Sequence, residues 1–355
     1  MNNNLLFIVS SLKRGGPINQ LWELLNNKNF TGDYSILSLS DLDLPGSRRG
    51  DFELLGVKLY SLNYNGQNFY RLSREILSFI NKNDFYRVIS QGFRSDISVA
   101  MISGNLPCKP YAILHNYIYY DYSYTYGIFR ALIMTFCHVR ALKAFDIISV
   151  SESVRDFVRN KYSLKSTAIR NGVVINSQNE KRCSNLTESK VTRLIYVGVI
   201  DKRKNVMKLL EAFKRVKRSD IELLVVGDGP LKKLLQNGDD NRVKYLGQRE
   251  DVKDLLLTSD VFLSASSFEG MPMAALEALA SGLPCILSDI PPHRELINLS
   301  GNFGCVTNYD TCDLSKHIDS LISISRFDIL SDFSIYLSSD LMAERYSDLI
   351  LESRG

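Results

Sequence analysis

A chain of 355 residues is long for a single hydrophobic core and comfortable for two domains. Its hydrophobic content of 45% and charged content of 23% are those of an ordinary globular protein. The net charge of +4 is too small to indicate binding of nucleic acid, and no apolar run approaches the ~18 residues needed to span a bilayer.

Short β-prone segments alternate with helical segments along the chain. In the first half they are residues 5–9, 34–37, 57–60, 87–90, 111–114, 147–150 and 167–169. After a polar stretch the pattern resumes with residues 194–197, 222–226, 243–246, 261–264, 285–287 and 305–306. This alternation predicts an α/β fold with parallel sheets built from right-handed βαβ units.

The polar stretch divides the chain into two predicted Rossmann-like domains that face each other across a deep cleft. The N-terminal domain takes residues 1–175, the linker 176–190 and the C-terminal domain 191–335. A surface loop is the alternative interpretation of 176–190. Residues 336–355 are predicted to form a helix that packs back on the N-terminal domain.

The first residues and the cysteines bear on the cellular compartment. The stretch before the first strand lacks the basic region and the cleavage site of a signal peptide. Six cysteines are scattered without a C-x-x-C pair, which favours reduced thiols. The four histidines lack metal-ligand spacing. We therefore expect a cytoplasmic protein without a metal site.

Two features in the N-terminal half follow predicted strands. Gly15 and Gly16 lie between the first strand and a helical stretch, where paired glycines allow a close approach of backbone to ligand. A simple turn is the alternative, and the absence of G-x-G-x-x-G disfavours a dinucleotide site. His115 closes the strand 111–114. A lone histidine is usually structural, but a strand end at a cleft suits a general base or a sugar-binding group.

The segment from Tyr117 to Lys143 is rich in tyrosine and then in apolar residues, with Arg140 and Lys143 near its end. Tyrosine suits a membrane interface, and basic side chains there would meet anionic lipid. The alternative is a helix packed in the N-terminal core beneath an aromatic lid.

Two loops follow strands in the C-terminal half. Lys202, Arg203 and Lys204 precede a helix predicted to begin near Val206, which makes a plausible diphosphate clamp. A solvated run of charges is the alternative. The turn 227–230, Gly-Asp-Gly-Pro, either contacts a ligand or only fixes a junction between strand and helix.

The most informative segment is 267–284, which places Glu269 in a loop and Glu277 eight positions later in a helix. Pro272 suits the first turn of that helix, and Gly282 is a natural left-handed stop. A helix start after a buried strand favours anions, and the flanking carboxylates would bind hydroxyls. A nucleotide-sugar carries both groups. Two surface glutamates are the alternative.

Together these motifs resemble the retaining family-4 glycosyltransferases of the GT-B fold, over nearly the whole chain. The strongest match is to the E-x7-E signature at Glu269 and Glu277. The other matching stretches are Gly15-Gly16, residues 146–152, 171–173, Lys204-Asn205, 227–230 and 343–346.

The resemblance implies a role for each carboxylate. Glu277 would hold the ribose of the donor nucleotide, and Glu269 would lie beside the donor sugar. The backbone amides near the sugar and the β-phosphate would be those of Gly270, Met271, Pro272 and Met273. Among these four residues, proline has no amide hydrogen to donate.

The resemblance also implies roles for residues outside the signature. Lys204 would contact the diphosphate, and Gly15 with Gly16 would close over it from the other domain. His115 matches a family histidine near the transferred sugar. The family needs no metal and no other cofactor.

Two sequence details complicate this expectation. Relatives usually carry arginine after the glycine that matches Gly198, whereas this chain has Val199; Arg203 is the hypothetical replacement. Asp41-Leu42-Asp43 is a metal-binding pattern in another class of sugar transferases, but here it lies in a loop rich in proline and glycine, and we expect no metal there.

The sequence therefore predicts a glycosyltransferase that moves a sugar from a nucleoside-diphosphate donor, by family frequency a UDP-sugar, to a glycan acceptor. By analogy the acceptor is polyprenyl-diphosphate-linked, in O-antigen or capsular polysaccharide biosynthesis. The protein would be cytoplasmic, with peripheral contact to the inner face of the plasma membrane. The alternatives are a nucleotide-sugar epimerase of the same fold and a non-catalytic nucleotide-sugar-binding protein.

Overall fold

The computed structural model describes residues 4–66, 68–175, 191–236 and 240–351. The predicted linker, 176–190, lies outside the described residues. The chain divides into two compact units, one formed by Met1–Gly172 with Ser339–Gly355 and the other by Val173–Ser338.

The first unit is built on a seven-stranded, wholly parallel sheet with the order β3-β2-β1-β4-β5-β6-β7. Its central strands are apolar and buried, as expected of a parallel sheet covered on both faces. The strands are β1 (Asn4–Val9), β2 (Asp33–Ser38), β3 (Lys58–Ser61), β4 (Arg87–Gln91), β5 (Tyr111–Leu114), β6 (Asp146–Ser149) and β7 (Thr167–Ala168).

Helices connect these strands, and one more returns from the end of the chain. They are α1 (Gly16–Leu25), α2 (Arg49–Leu54), α3 (Phe69–Asn83), α4 (Phe93–Ala100), α5 (Ile118–Tyr126), α6 (Ile128–Leu142), α7 (Glu152–Tyr162) and α15 (Ser339–Ile350). The returning helix α15 packs against α1 and the loop that follows it. There Asn27 Nδ2 donates to Asp340 Oδ1 at 2.8 Å, and Gln20 Nε2 donates to the Tyr346 hydroxyl at 3.4 Å.

The second unit repeats this architecture with a six-stranded parallel sheet in the order β10-β9-β8-β11-β12-β13. Its core includes Tyr196, Phe213 and Tyr309, which are at most 1% exposed. The strands are β8 (Thr192–Val197), β9 (Ile221–Val226), β10 (Val243–Gly247), β11 (Val261–Ser264), β12 (Cys285–Ser288) and β13 (Gly304–Thr307).

The helices of the second unit are mostly short. They are α8 (Val206–Lys214), α9 (Lys232–Gln236), α10 (Val252–Leu257), α11 (Met273–Leu279), α12 (Pro291–Ile297), α13 (Leu314–Leu321) and α14 (Arg326–Tyr336). The two parallel-sheet α/β units make the GT-B class of fold. Among the described residues, no helix has the length and apolar character needed to cross a membrane.

In each sheet, successive strands are added first on one side of the first strand and then on its other side, so each sheet has one reversal point in its strand order. In the first sheet this point lies between β1 and β4, and in the second between β8 and β11. Ligands of open α/β sheets bind beyond the carboxyl ends of the strands at such a point. The loops that leave β1, β4, β8 and β11 are therefore the places in each unit where a site is expected.

Candidate active site

The loops after β8 and β11 bring a lysine and a glutamate together, although they are 65 residues apart in the chain. Lys204 Nζ donates to Glu269 Oε1 at 2.8 Å. The two side chains are only 14% and 7% exposed, so this ion pair is largely shielded from water. A shielded pair of this kind interacts more strongly than a surface salt bridge.

The Glu269 carboxylate is held in its charged form. Burial alone would raise its pKa, but the positive charge of Lys204, the electrostatic interaction with His293 and hydrogen bonds from Lys204 and Ser266 lower it to about 2. The Ser266 hydroxyl donates to the same oxygen, Oε1, at 2.6 Å. Glu269 is thus a fixed negative charge at neutral pH.

A buried polar network extends from Glu269 to the neighbouring strand. The Ser264 and Ser266 hydroxyls lie 3.2 Å apart, and the Ser288 hydroxyl donates to the Ser266 carbonyl oxygen at 2.6 Å. His293 Nδ1 lies 2.8 Å from the Ser288 carbonyl oxygen. The network therefore ties the loop after β11 to the end of β12 and to α12.

The basic loop is anchored to the same glutamate-bearing segment through Arg203. Its guanidinium lies over the ring of Phe268, 5.8 Å from the ring centre, and its carbonyl oxygen accepts from the Ser267 amide at 2.8 Å. Val199, in the same loop, is 48% exposed. Lys202 is exposed, whereas Arg203 and Lys204 are partly buried.

The helix that bears Glu277 is α11, and it begins one residue later than predicted. Pro272 is its N-cap and not a first-turn residue, and the helix has only seven residues. Gly282 has φ +75°, which confirms the predicted left-handed stop. Gly270, Met271, Pro272 and Met273 are buried, and Glu277 is partly buried.

The glycine turn after β9 has a structural role. A Cβ atom on Gly227, which has φ +135°, would lie 1.9 Å from the Gly198 carbonyl oxygen. A Cβ atom on Gly229 would lie 2.4 Å from the Ile200 carbonyl oxygen. These two glycines let the turn pack directly on the loop after β8, which explains them without any ligand.

The first unit has its own cavity of about 290 Å³ at the ends of β1, β4 and β5. Gly15 and His115 both line it, and His115 Nε2 lies 2.7 Å from Gln91 Oε1. Burial lowers the pKa of His115 to about 3, so the imidazole is neutral at pH 7. A Cβ atom on Gly16 would meet nothing within 4 Å, so packing does not require glycine there.

A second histidine in this cavity was missed by the sequence reasoning. His138 Nε2 lies 2.8 Å from Asp96 Oδ2, and its Nδ1 lies 2.6 Å from the Tyr122 hydroxyl. The Ser90 hydroxyl donates to Asp96 Oδ1 at 2.5 Å. These residues come from β4, α4, α5 and α6 and form no local motif, so no sequence signal points to them.

Comparison with known proteins finds similarity to glycosyltransferases. Residues 177–332 match the family model described as glycosyl transferases group 1. The O-antigen biosynthesis glycosyltransferase WclY of Escherichia coli is 25% identical over 323 residues, 82% of each chain. These matches support a glycosyltransferase. The family model spans Lys204, Glu269 and Glu277.

The chain is also similar to an enzyme that is named for its UDP-galactose donor and to a solved structure with the same fold. The UDP-Gal:alpha-D-GlcNAc-diphosphoundecaprenol alpha-1,3-galactosyltransferase of Escherichia coli is 32% identical over 178 residues, 44% of this chain and 45% of that protein. Anabaena HepE, solved in complex with UDP-glucose, has a TM-score of 0.79 at 18% identity, covering 98% of this glycosyltransferase and 99% of HepE. That likeness shows the fold.

In this glycosyltransferase the acidic pair near the N-terminus has local partners. Asp43 pairs with Arg49 at 2.8 Å, and Asp41 accepts a hydrogen bond from the Asp43 amide at 2.9 Å. Within the described ranges, no three His, Cys, Asp or Glu side chains are grouped so as to hold a metal ion.

Helix α6 of the glycosyltransferase has one buried and one exposed apolar face. Ala131, Thr135, His138 and Leu142 face the protein. Five large apolar side chains are 54–85% exposed, namely Ile128, Phe129, Leu132, Ile133 and Phe136. Of the tyrosines before it, Tyr117 and Tyr122 are buried, whereas Tyr120, Tyr124 and Tyr126 are 42–49% exposed.

Proposed function

We propose that this glycosyltransferase moves a sugar from a UDP-sugar to a hydroxyl of a polyprenyl-diphosphate-linked glycan, with retention of configuration, during O-antigen or capsular polysaccharide assembly. The names of its relatives support the pathway and the acceptor class, since one assembles O-antigen and another acts on a diphosphoundecaprenol-linked sugar. A uridine donor is supported by the name of that galactosyltransferase and by the UDP-glucose complex of HepE.

The observation that carries the proposal is the shielded ion pair of Lys204 and Glu269 at the reversal point of the second sheet. Breakage of the sugar–phosphate bond leaves negative charge on the diphosphate and positive charge on the sugar ring. An ammonium group stabilises the first and a carboxylate held ionised stabilises the second. Because the protein holds both charges in place, little reorganisation is needed during the reaction.

The rest of the donor would be held by neighbouring groups. Glu277 would bind the ribose hydroxyls, Arg203 would assist Lys204 at the diphosphate, and the stretch from Gly270 to Met273 would line the sugar. We propose that the reaction uses no metal, because the cationic side chains would take over the neutralisation of phosphate charge.

In the first unit, we propose that His115 contacts the transferred sugar and that Gly15 and Gly16 approach the diphosphate. The neutral imidazole of His115 can exchange hydrogen bonds with hydroxyl groups without adding charge. Gly16 has open space around it, which is compatible with close approach of a ligand to the backbone.

The exposed face of α6 is the proposed membrane contact. Ile128, Leu132 and Phe136 follow one another at four-residue intervals, and Phe129 and Ile133 lie beside them, so they share one side of the helix. The helix carries no acidic residue, whereas Arg130, Arg140 and Lys143 are exposed. An apolar face with basic neighbours suits an anionic lipid surface, and a lipid-linked acceptor would be found there. The proposed location is the cytoplasmic face of the plasma membrane.

A transfer assay with a panel of donors tests this proposal. Purified protein is incubated with radiolabelled UDP-, GDP- or ADP-sugars and with lipid extracts that contain polyprenyl-diphosphate-linked glycans. We expect label to enter the lipid fraction from a UDP-sugar, with the α-configuration of the donor kept in the NMR spectrum of the released glycan. Transfer from GDP-sugars alone would contradict the uridine donor, and an inverted product would contradict retention.

A further inference from the structure

His293 lies at the first turn of α12 and is fully buried beside the donor half of the site. It belongs to no motif of the signature segment. Its nearest polar partner is Ser288 at the end of β12, which in turn holds the loop that bears Glu269 through the Ser266 carbonyl oxygen. Its imidazole also interacts electrostatically with Glu269 and with Lys204. His293 is thus part of the same polar cluster as the ion pair.

The hydrogen bonds define the tautomer of this histidine. Nδ1 lies 2.8 Å from the Ser288 carbonyl oxygen, which can only accept a hydrogen bond. Nδ1 also lies 3.1 Å from the Ser288 hydroxyl, whose one proton is given to the Ser266 carbonyl oxygen. Nδ1 must therefore carry the proton. Burial lowers the pKa of His293, so the ring is neutral and Nε2 offers a lone pair.

That lone pair has no hydrogen-bond partner among the residues that the structure describes. Buried polar atoms are almost always satisfied, by protein, by water or by a ligand. Glu269 cannot serve, because its carboxylate is ionised and has no proton to give. A hydroxyl group has the proton that Nε2 requires.

We propose that Nε2 of His293 accepts a hydrogen bond from a hydroxyl of the donor sugar. The inference rests on the proposed function, which puts that sugar beside Glu269. The two side chains would then have different roles. Glu269 supplies negative charge, and His293 supplies a neutral hydrogen-bond acceptor whose direction is fixed by Ser288. A neutral acceptor of fixed direction selects among sugars by the position of one hydroxyl.

Calorimetric binding of a nucleoside diphosphate and of its sugar conjugate tests this inference. The pairs are UDP with UDP-glucose, UDP-galactose and UDP-N-acetylglucosamine, and GDP with GDP-mannose. The quantity compared is the ratio of the two dissociation constants. In His293→Asn the amide nitrogen can replace Nδ1, but nothing replaces Nε2. We expect the ratio to shift about tenfold against the sugar conjugate, with affinity for the free diphosphate unchanged.

Two further variants separate this role from a structural one. In His293→Gln the longer side chain brings an acceptor oxygen near the place of Nε2, so we expect most of the sugar contribution to return. The control is His317→Asn in the same unit, whose ring nitrogens lie near Thr307 and Cys305, and there the ratio should not change. His293→Phe replaces the imidazole by an aromatic ring without nitrogen. It is used if the asparagine variant does not fold, and we expect the same loss.

An unchanged ratio in His293→Asn or His293→Phe would overturn the inference. Equal weakening of the free diphosphate and its conjugate, together with a lower melting temperature, would assign His293 a purely structural role and overturn it as well. A wild-type protein that binds none of the pairs would overturn the proposed donor class, and this inference with it. A wild-type protein that binds a pair but transfers no sugar would contradict the reaction alone.

Discussion

At the residue scale, the ion pair of Lys204 and Glu269 affects both the proposed chemistry and the stability of the fold. Burial removed the hydration of both charges, and their mutual attraction offsets that desolvation cost. Removal of one partner leaves the other charge buried and unpaired. The pair should therefore be visible in unfolding experiments without any substrate.

Glu269→Gln should lower the free energy of unfolding at pH 7 by about 3 kcal/mol, because the pKa of Glu269 is about 2 in the folded protein against an ordinary value of 4.5. A carboxyl whose folded pKa is depressed stabilises the protein above pH 4.5 and loses that contribution as the pH falls towards 2. The difference between wild type and variant should thus shrink to about 1 kcal/mol at pH 3. Urea unfolding at pH 7, 5, 4 and 3 measures it.

Glu211→Gln is the matched control for this experiment. Glu211 lies exposed on α8, so the same chemical change there should leave the stability within about 0.5 kcal/mol of wild type at each pH. A difference for Glu269→Gln that stayed constant from pH 7 to pH 3 would show that Glu269 is not an ionised, paired carboxylate.

Arg203 supplies the second residue-scale prediction. If it compensates for Val199, Arg203→Ala should raise the dissociation constant for UDP about tenfold, as expected for loss of one charge-assisted hydrogen bond. Lys202→Ala, an exposed neighbour of the same charge, should change it less than twofold. Equilibrium dialysis with labelled UDP measures both. Equal affinity in wild type and Arg203→Ala would rule the compensation out.

The sequence predicts Lys204 and Glu269 because each follows a strand and belongs to a loop with a recognisable pattern. It does not predict His293, Asp96 or His138. Each is a single residue in a helix. The surroundings of His293 arise only when Ser288 at the end of β12 bonds to the loop after β11, and those of Asp96 and His138 only when α6 packs on α4. Such contacts between distant segments have no periodicity and no fixed spacing.

At the scale of elements, all thirteen predicted strands are present, with ends that differ by at most two residues. Buried parallel strands are short apolar runs between polar loops, and this contrast allows them to be predicted from the sequence. The start of α11 was wrong by one residue because Pro272 takes the N-cap position and Met273 opens the helix. The choice between N-cap and first turn depends on backbone angles that the residue type does not determine.

The two glycine loops should respond in opposite ways to alanine. Gly227→Ala should destabilise the protein by about 2–5 kcal/mol, because φ is +135° and the new Cβ would lie 1.9 Å from the Gly198 carbonyl oxygen. Gly16→Ala should leave the stability of the protein unchanged or raise it by up to about 1 kcal/mol. Gly16 is the first residue of α1, and a Cβ atom there would meet no other atom within 4 Å. Thermal and urea unfolding measure both. Comparable losses in the two variants would contradict the structural explanation of the turn.

Helix α6 should bind anionic vesicles through its exposed face. The double variant Phe129→Asp with Ile133→Asp should lower binding to vesicles rich in phosphatidylglycerol about tenfold or more in a sedimentation assay, because charge replaces apolar contact. Leu54→Asp is the control, as Leu54 is 89% exposed on α2, a different helix of the same unit. Binding that was the same for all three proteins would exclude α6 as the contact.

At the scale of the whole molecule, the chain uses one topology twice. Both sheets are parallel, and each grows from its first strand in one direction before it reverses. The polar stretch after the first series of strands makes this repetition visible in sequence. The return of the C-terminal helix to the first unit is also predicted from the sequence, and side-chain bonds from Asn27 and Gln20 to residues more than 300 positions later hold α15 there.

The rate of sugar transfer in three proteins tests the central claim most directly. Wild type, Glu269→Gln and Glu211→Gln are compared at pH 7.5 with a saturating UDP-sugar and lipid-linked acceptor, after unfolding curves confirm that each is folded. If the ion pair stabilises the separating charges, Glu269→Gln should lose about a hundredfold or more in rate, and Glu211→Gln should match wild type. Transfer by Glu269→Gln at a rate close to wild type would contradict the account.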